Sequence, residues 1–153
     1  METAVTLDRA IQISLTKPLR RRTETVSLDE ARGRVTARSL ASKVDDPRFD
    51  NSAMDGFAVR AEDCEDEKTT LTIVGTSQAG EDSPPEVGQG QACRIMTGAP
   101  MPRGADAIVM IEDTDVQGKT VTLMGPARTG FIRRRAENLS VGQEALPAGT
   151  LLD

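Results

Sequence analysis

The sequence has 153 residues, a net charge of −5 and few aromatic side chains: three Phe, no Trp and no Tyr. A chain of this length forms one domain of ordinary size or two small ones, and its core must consist mainly of Val, Ile, Leu, Ala and Met. The sequence lacks histidine, which excludes catalysis by a Ser–His or Cys–His pair and a zinc site that contains His.

The same composition limits the classes of partner and the cellular compartment that we expect. An acidic balance with almost no aromatic residues argues against nucleic-acid binding. Cys64 and Cys93 are not spaced as metal ligands, so we expect two free thiols in a reducing compartment, which favours a cytoplasmic protein. No stretch resembles a signal peptide or a membrane span, and we expect no membrane association.

The N-terminal part predicts two helices. Residues 6–15 carry apolar or small side chains at helical spacing, Thr6 is a plausible N-cap, and Pro18 should end the helix. Residues 26–33 predict a second, shorter helix, because Ser27 and Glu30 have the spacing of a capping box. Residues 34–44 show an imperfect strand pattern.

The middle of the chain predicts a compact β domain. Short apolar or β-branched segments alternate with connections rich in Gly and Pro, which is typical of a barrel or a sandwich. The expected strands are residues 57–59, 69–74, 92–96, 107–111 and 119–124. The final segment, 131–153, predicts irregular structure with one short strand.

Three loops carry most of the polar residues that folding does not require: residues 50–56, 97–100 and 133–138. Carboxylates beside basic residues suit a Mg²⁺–phosphate or oxyanion ligand. Each loop also has a plainer interpretation. Asp55 can be a turn residue, Thr97–Gly98 a simple turn, and the arginines at 133–135 a solvated edge. No Walker or dinucleotide-binding glycine pattern is present, so spacing alone leaves these alternatives open.

The amino-acid sequences of the three loops resemble the signatures of one known family. Residues 47–59, P-R-F-D-N-S-A-M-D-G-F-A-V, closely resemble the signature of the molybdopterin molybdenumtransferases, the family of MoeA and the gephyrin E domain. Residues 95–112, I-M-T-G-A-P-M-P-R-G-A-D-A-I-V-M-I-E, and residues 133–142, R-R-R-A-E-N-L-S-V-G, are similar to its second and third signatures. The match spans nearly the whole chain in the right order.

The resemblance implies an α+β fold like the N-terminal region of MoeA. In that family an elongated helical domain is formed from both ends of the region, and a strand-rich β domain is inserted within it. On this chain the helical domain would comprise residues 1–43 and 136–153, and the inserted β domain residues 44–135. The pattern of two helices, a strand-rich middle and an irregular return agrees with this division.

The resemblance also implies a reaction and a set of site residues. Family members insert molybdate into molybdopterin, hydrolyse adenylylated molybdopterin in the process and require Mg²⁺. They act as homodimers whose cleft lies between this β domain and a pterin-nucleotide-binding domain of the other subunit. Asp55 would be the catalytic, metal-facing carboxylate. The residues that would bind substrate around it are Asn51, Ser52, Thr97, Gly98, Arg135, Glu137 and Asn138.

Two departures from the family pattern leave a second hypothesis open. The third signature usually runs R-x-G-E-D, but here Ala136 replaces the glycine and Asn138 the aspartate. The chain also stops where family members continue into the pterin-binding domain, so we expect the isolated chain to be inactive, whether it is a fragment or a standalone module. The alternative to a transferase part is therefore a non-catalytic dimerisation or scaffold module of the same fold.

Overall fold

The computed structural model describes residues 5–16, 22–64, 68–80 and 83–153. The chain divides into two compact units by its contacts, one comprising Met1–Ser39 with Pro147–Asp153 and the other Leu40–Leu146. This division also gives one unit made from both chain ends and one inserted unit. The domain boundaries at residues 43/44 and 135/136 stay a prediction.

The first unit contains helix α1, Leu7–Thr16. It begins where the sequence predicts, and the backbone N–H of Arg9 lies 3.4 Å from the Thr6 hydroxyl oxygen at its N-terminus. None of its ten residues is buried, and the apolar side chains of Leu7 and Leu15 are about three-quarters exposed, at 77% and 76%. The predicted role of Pro18 lies outside the described residues.

The second predicted helix is wrong in length. Only Leu28–Glu30 is helical, as a single 3₁₀ turn. The capping box predicted from sequence is present, because Glu30 Oε2 accepts a hydrogen bond from the Ser27 backbone N–H at 3.4 Å. The turn cannot grow, since Gly33 adopts a φ of +76° three residues later and its N–H bonds to the carbonyl of Leu152.

The rest of the first unit is held by pairing between the two chain ends. Val35 forms an isolated antiparallel bridge with Leu151. The Thr36 hydroxyl donates to the Pro147 carbonyl at 2.8 Å and accepts from the Thr150 N–H at 2.9 Å. The described residues of this unit contain one α-helix of ten residues. The expected elongated helical domain is therefore not confirmed, and the described part of the chain is mostly β with one α-helix.

The described residues of the second unit form ten strands, arranged as one large sheet and two small pairs. The large sheet has the order β6-β3-β5-β4-β8-β7 and curls as a half-barrel. All its neighbours are antiparallel except β4 and β5, which run parallel. The small pairs are β1–β10 and β2–β9. The strands are β1 Leu40–Ala41, β2 Asn51–Ser52, β3 Gly56–Val59, β4 Thr69–Ser77, β5 Gln91–Ile95, β6 Ala107–Met110, β7 Thr114–Gln117, β8 Thr120–Leu123, β9 Ile132–Arg133 and β10 Glu144–Leu146.

Both faces of the central strands are buried, as the apolar run at 107–111 predicts. Side chains of alternate residues point to opposite faces of a strand, and the buried residues separate accordingly into two clusters. The larger cluster contains Phe57, Val59, Leu71, Ala92, Ala107, Val109, Val121 and Leu123. The smaller one contains Ala58, Ile95, Ala99, Ile108 and Ile132. The smaller cluster joins the sheet to the polar loops that follow it.

All five strands predicted in the β domain are present, with shifted ends. The predicted extended segment 34–44 contains only the two-residue strand β1. In the described parts of the chain, no helix combines the length and the apolar character that crossing a membrane requires.

Gly56 allows β3 to lie close to β6. A Cβ atom placed on Gly56 would lie 2.0 Å from the carbonyl oxygen of Val109, a backbone atom that cannot move without shifting the strand. The glycine of the Asp55-Gly56 dipeptide is therefore needed for strand packing.

We predict that Gly56→Ala destabilises the chain by about 3 kcal/mol, because overpacking against backbone forces the two strands apart. Urea unfolding measures this loss. Gly130→Ala is the matched control, since a Cβ on Gly130 meets no atom within 4 Å. Equal stability of the two variants would show that β3 and β6 are not held at this distance.

Candidate functional site

The three polar loops converge on strand β2, Asn51–Ser52. Both residues are buried, and they pair with Ile132–Arg133 of β9. On the other side, the N–H of Ser52 donates to the Ala99 carbonyl at 3.0 Å, and the N–H of Gly98 donates to the Ser52 carbonyl at 2.8 Å. Two residues of the first loop therefore hold both the second and the third loop in place.

The side chains of Asn51 and Ser52 are used inside the first loop. The Asn51 amide donates to the Phe49 carbonyl at 3.2 Å. The Ser52 hydroxyl donates to the Met54 carbonyl and accepts from the Met54 N–H at 3.1 Å. These bonds shape the turn that leads to Asp55. The substrate-binding role expected of Asn51 and Ser52 stays a prediction.

Asp55 lies at the exposed end of this turn, where it is bonded to the second loop. Its Oδ1 accepts hydrogen bonds from the Thr97 backbone N–H at 2.6 Å and from the Thr97 hydroxyl at 2.8 Å. Its backbone carbonyl accepts from the N–H of Ile111 at 3.0 Å. No described residue donates a hydrogen bond to Oδ2. The carboxylate is thus fixed through one oxygen and presents the other to solvent.

The same contacts keep Asp55 ionised. The Thr97 N–H lowers the pKa of Asp55 below its ordinary value of 3.8 most strongly, followed by the Thr97 hydroxyl. Partial burial opposes these effects, and the positive charge of Arg94 adds to them. Sequence reasoning missed Arg94, because a charged residue inside a predicted strand gives no local signal of a site.

Gly98 adopts a φ of +79° that favours glycine, and a Cβ there would meet open space. Its N–H, however, is bonded to Ser52. The turn at 97–98 therefore offers a ligand the Thr97 side chain and an open surface above Gly98, but not the Gly98 N–H.

The acidic residues before β2 are bonded to the third loop. Asp50 accepts from the Arg135 backbone N–H at 2.7 Å and from Arg134 Nη1 at 2.7 Å. Asp45 Oδ2 lies 2.6 Å from Nε and Nη2 of Arg135, and its Oδ1 accepts from the N–H of Val141 at 2.9 Å. We call these contacts, with those of Asp46 below, the acidic clasp.

The acidic clasp lowers the pKa values of two aspartates. For Asp45 the Val141 N–H has the largest effect, followed by the Arg135 side chain. For Asp50 the Arg135 N–H has the largest effect, partly opposed by burial and then assisted by Arg134. Both carboxylates are therefore ionised and paired near neutral pH.

Glu137 and Asn138 complete the third loop. Glu137 Oε2 accepts from the Arg134 N–H at 2.7 Å, and its Oε1 lies 3.6 Å from Nε of Arg133. The Asn138 amide donates to Asp46 Oδ2 at 3.0 Å. An aspartate at position 138 could not donate this bond when ionised, so the Asn138 departure suits a partner that is itself acidic.

The structure therefore forms two groups of predicted site residues. Asp55, Thr97 and Gly98 surround one turn beside Ser52, whereas Arg135 and Asn138 bond to residues 45–50 and Glu137 bonds to Arg133 and Arg134 of its own loop. Asn51 and Ser52 connect the two groups. Within the described residues, no three carboxylates or thiols lie close enough to hold a metal ion.

Comparisons with known proteins agree with the loop signatures. Residues 5–153 match the family described as MoeA N-terminal region (domain I and II). A protein of Synechococcus elongatus named molybdopterin molybdenumtransferase is 42% identical over 136 residues, covering 84% of this chain and 34% of that protein. A protein of the same name from Haemophilus influenzae is 38% identical over 151 residues, covering 97% and 37%.

A solved structure has the same fold. The crystal structure of the molybdopterin biosynthesis moeA protein from Pyrococcus horikoshii OT3 is similar with a TM-score of 0.78 and 36% identity. The similarity covers 85% of this chain and 36% of that one. The chain spans about a third of the length of the relatives it matches.

Ala136 is the one described non-glycine residue with a positive φ, at +61°. Its N–H bonds to the carbonyl of Pro47 at 2.9 Å, which ties the third loop to the first. The family signature has a glycine at this position, and the positive φ of the backbone is one that glycine adopts without strain. A Cβ in this conformation costs about 1–2 kcal/mol.

We predict that Ala136→Gly stabilises the chain by about 0.5–1 kcal/mol, because relief of the Cβ strain exceeds the entropy that glycine gains in the unfolded state. Urea unfolding gives the difference. Ala148→Gly, in an exposed turn with ordinary φ, is the control and should lose stability. A loss of similar size at position 136 would contradict the assignment of strain.

Proposed function

Because this chain belongs to the family of MoeA N-terminal regions, we propose that it forms one wall of a site at which molybdenum is inserted into molybdopterin. The substrates are molybdate and adenylylated molybdopterin, whose phosphoanhydride is hydrolysed during insertion. The proteins named molybdopterin molybdenumtransferase among its relatives support this activity. The activity is that of the whole protein, of which this region supplies a part.

The observation that carries the proposal is the arrangement of Asp55. It is exposed, ionised and oriented by Thr97 through Oδ1, while Oδ2 accepts no hydrogen bond from any described residue. A carboxylate that served only to close the turn would not need a second oxygen open to a ligand. Here the Thr97 contacts use one oxygen and leave the other, charged edge of the carboxylate open. This edge suits a cation or a proton on the substrate.

The donor set is compatible with Mg²⁺ shared with substrate. Mg²⁺ usually retains several waters and binds one or two carboxylates together with substrate phosphates, so a site does not require the three protein ligands that the described residues lack. Asp55 would supply the carboxylate. When bound, Mg²⁺ would neutralise charge on the phosphoanhydride.

The remaining residues have supporting roles in this proposal. Thr97 fixes the Asp55 carboxylate, and Ser52 and Asn51 set the turn before it. Arg135 and Asn138 hold the third loop against Asp45, Asp46 and Asp50, and Glu137 bonds within the third loop. The other wall of the cleft is the pterin-nucleotide-binding domain of a second subunit, in a cytoplasmic homodimer.

We predict that Asp55→Asn reduces molybdenum insertion tenfold or more, on the scale of a positioned catalytic group. The assay uses a chimaera in which residues 1–153 replace the matching third of the Haemophilus influenzae relative, with molybdate, adenylylated molybdopterin and Mg²⁺. Asparagine retains an oxygen that accepts both Thr97 hydrogen bonds but lacks the charge. Loss of activity with unchanged unfolding would thus reflect the charge and not the turn.

Asp115→Asn is the matched control. Asp115 is also exposed, lies on edge strand β7 and bonds only to the Gln117 amide at 2.9 Å among the described residues. This variant should retain full activity. An Asp55→Asn chimaera that inserts molybdenum as fast as the parent would remove the catalytic role and favour a non-catalytic scaffold module.

A further inference from the structure

Arg94 is an unusual basic residue in the described part of the chain. All lysines and arginines there are exposed except Arg60 and Arg94. Arg60 forms ion pairs with Glu62 and Asp63. Arg94 is half-buried like Arg60, yet its guanidinium makes no hydrogen bond or ion pair with a described residue. A guanidinium has five N–H donors, so this side chain can still bind a ligand.

The position of Arg94 places it beside an open depression. It lies on β5, directly opposite Phe57 of β3 and Thr76 of β4. Side chains at paired positions point to the same face of a sheet. Thr76 lines a depression of about 390 Å³ together with Gln78, Ala79 and Gly80. The sheet therefore directs the Arg94 stem toward the border of this depression.

Asp55 is near Arg94 but does not neutralise it. The two Thr97 hydrogen bonds lower the pKa of Asp55 most strongly, loss of hydration opposes them, and the charge of Arg94 adds a smaller lowering. Asp55 and Arg94 do not form an ion pair. The Oδ1 atom of Asp55 is bonded to Thr97. The five N–H donors of the guanidinium thus remain available beside a charged carboxylate.

We propose that Arg94 binds a tetrahedral oxyanion next to Asp55, at the border of the depression lined by Thr76. A guanidinium matches two oxygens of such an anion with two parallel hydrogen bonds. Asp55 would then bind the positive part of the ligand, a cation or a proton, and Arg94 would bind its oxyanion. The proposal rests on the proposed function, in which that oxyanion is molybdate or a phosphate of the nucleotide-linked substrate.

The test titrates the 153-residue chain with sodium molybdate and, separately, with inorganic phosphate, at constant ionic strength set with sodium chloride. Backbone amide NMR shifts of residues 76–80 and 97–98 report binding. We expect saturable shifts that localise to these residues. Arg94→Gln should weaken the binding about tenfold or more, which corresponds to the loss of a charge-assisted hydrogen-bonded pair.

Arg103→Gln is the control, because Arg103 is exposed and lies outside β3, β4, β5 and the turn at 97–98; it should bind both anions as the parent does. Arg94→Lys is a second variant, which distinguishes lost binding from a folding defect in Arg94→Gln. It retains the charge and loses only the bidentate geometry, so it should bind with intermediate affinity. Tighter binding of molybdate or of phosphate would identify which oxyanion the residue takes.

Absence of saturable shifts with both anions, or equal affinity of the parent and the Arg94→Gln chain, would overturn the proposal. This titration does not depend on molybdenum insertion. An inactive chimaera with intact anion binding would leave Arg94 as an oxyanion site, whereas an active chimaera without anion binding would remove Arg94 alone.

Discussion

The site depends on two buried peptide units at Asn51–Ser52. The strand they form is too short to be stable alone, and its hydrogen bonds extend to both neighbours: β9 on one side and the 97–100 turn on the other. Buried backbone groups must be paired, so a shift of any one loop would leave N–H or carbonyl groups of the others without partners. This requirement holds Asp55 and Thr97 at hydrogen-bonding distance.

The acidic clasp determines which of the aspartates near this strand are paired. Four aspartates occur between residues 45 and 55, a concentration of like charge that would repel itself if left unpaired. Three of them bind backbone N–H groups, arginines or an amide of the third loop. Asp55 differs from Asp45 and Asp50 because it bonds to Thr97, a neutral residue, and faces outward. Arginines thus compensate the charges of Asp45 and Asp50 but, among the described residues, form no ion pair with the carboxylate assigned to function.

Local sequence signals predicted the parts of the fold that local physics controls. Apolar runs and β-branched alternation located the five central strands, and the capping box at Ser27 and Glu30 formed as expected. They overestimated the second helix, since a capping box can stabilise one turn without propagating it. The elongated helical domain came from the resemblance and not from the residues, and the described part of the first unit contains a single helix.

The candidate site could be predicted only in part, because many of its contacts join residues that are far apart in the sequence. Polar composition identified the three loops, and the signature marked position 136 as a departure, where the structure shows an alanine in a conformation suited to glycine. The pairing of Asp55 with Thr97 joins residues 42 positions apart, and the clasp joins residues up to 96 apart. Such contacts follow from the sheet topology, so no short-range pattern shows them. The role of Gly56 in strand packing was hidden for the same reason.

The central claim is that Thr97 holds Asp55 as an oriented, ionised carboxylate. Carboxyl ¹³C NMR titration of Asp55 in the chain and in a Thr97→Val variant tests it most directly, because valine removes the hydroxyl bond and keeps the backbone N–H. The account predicts a pKa below 3.8 in the parent and a higher one in the variant. A parent pKa at or above 3.8, or no change in the variant, would contradict it.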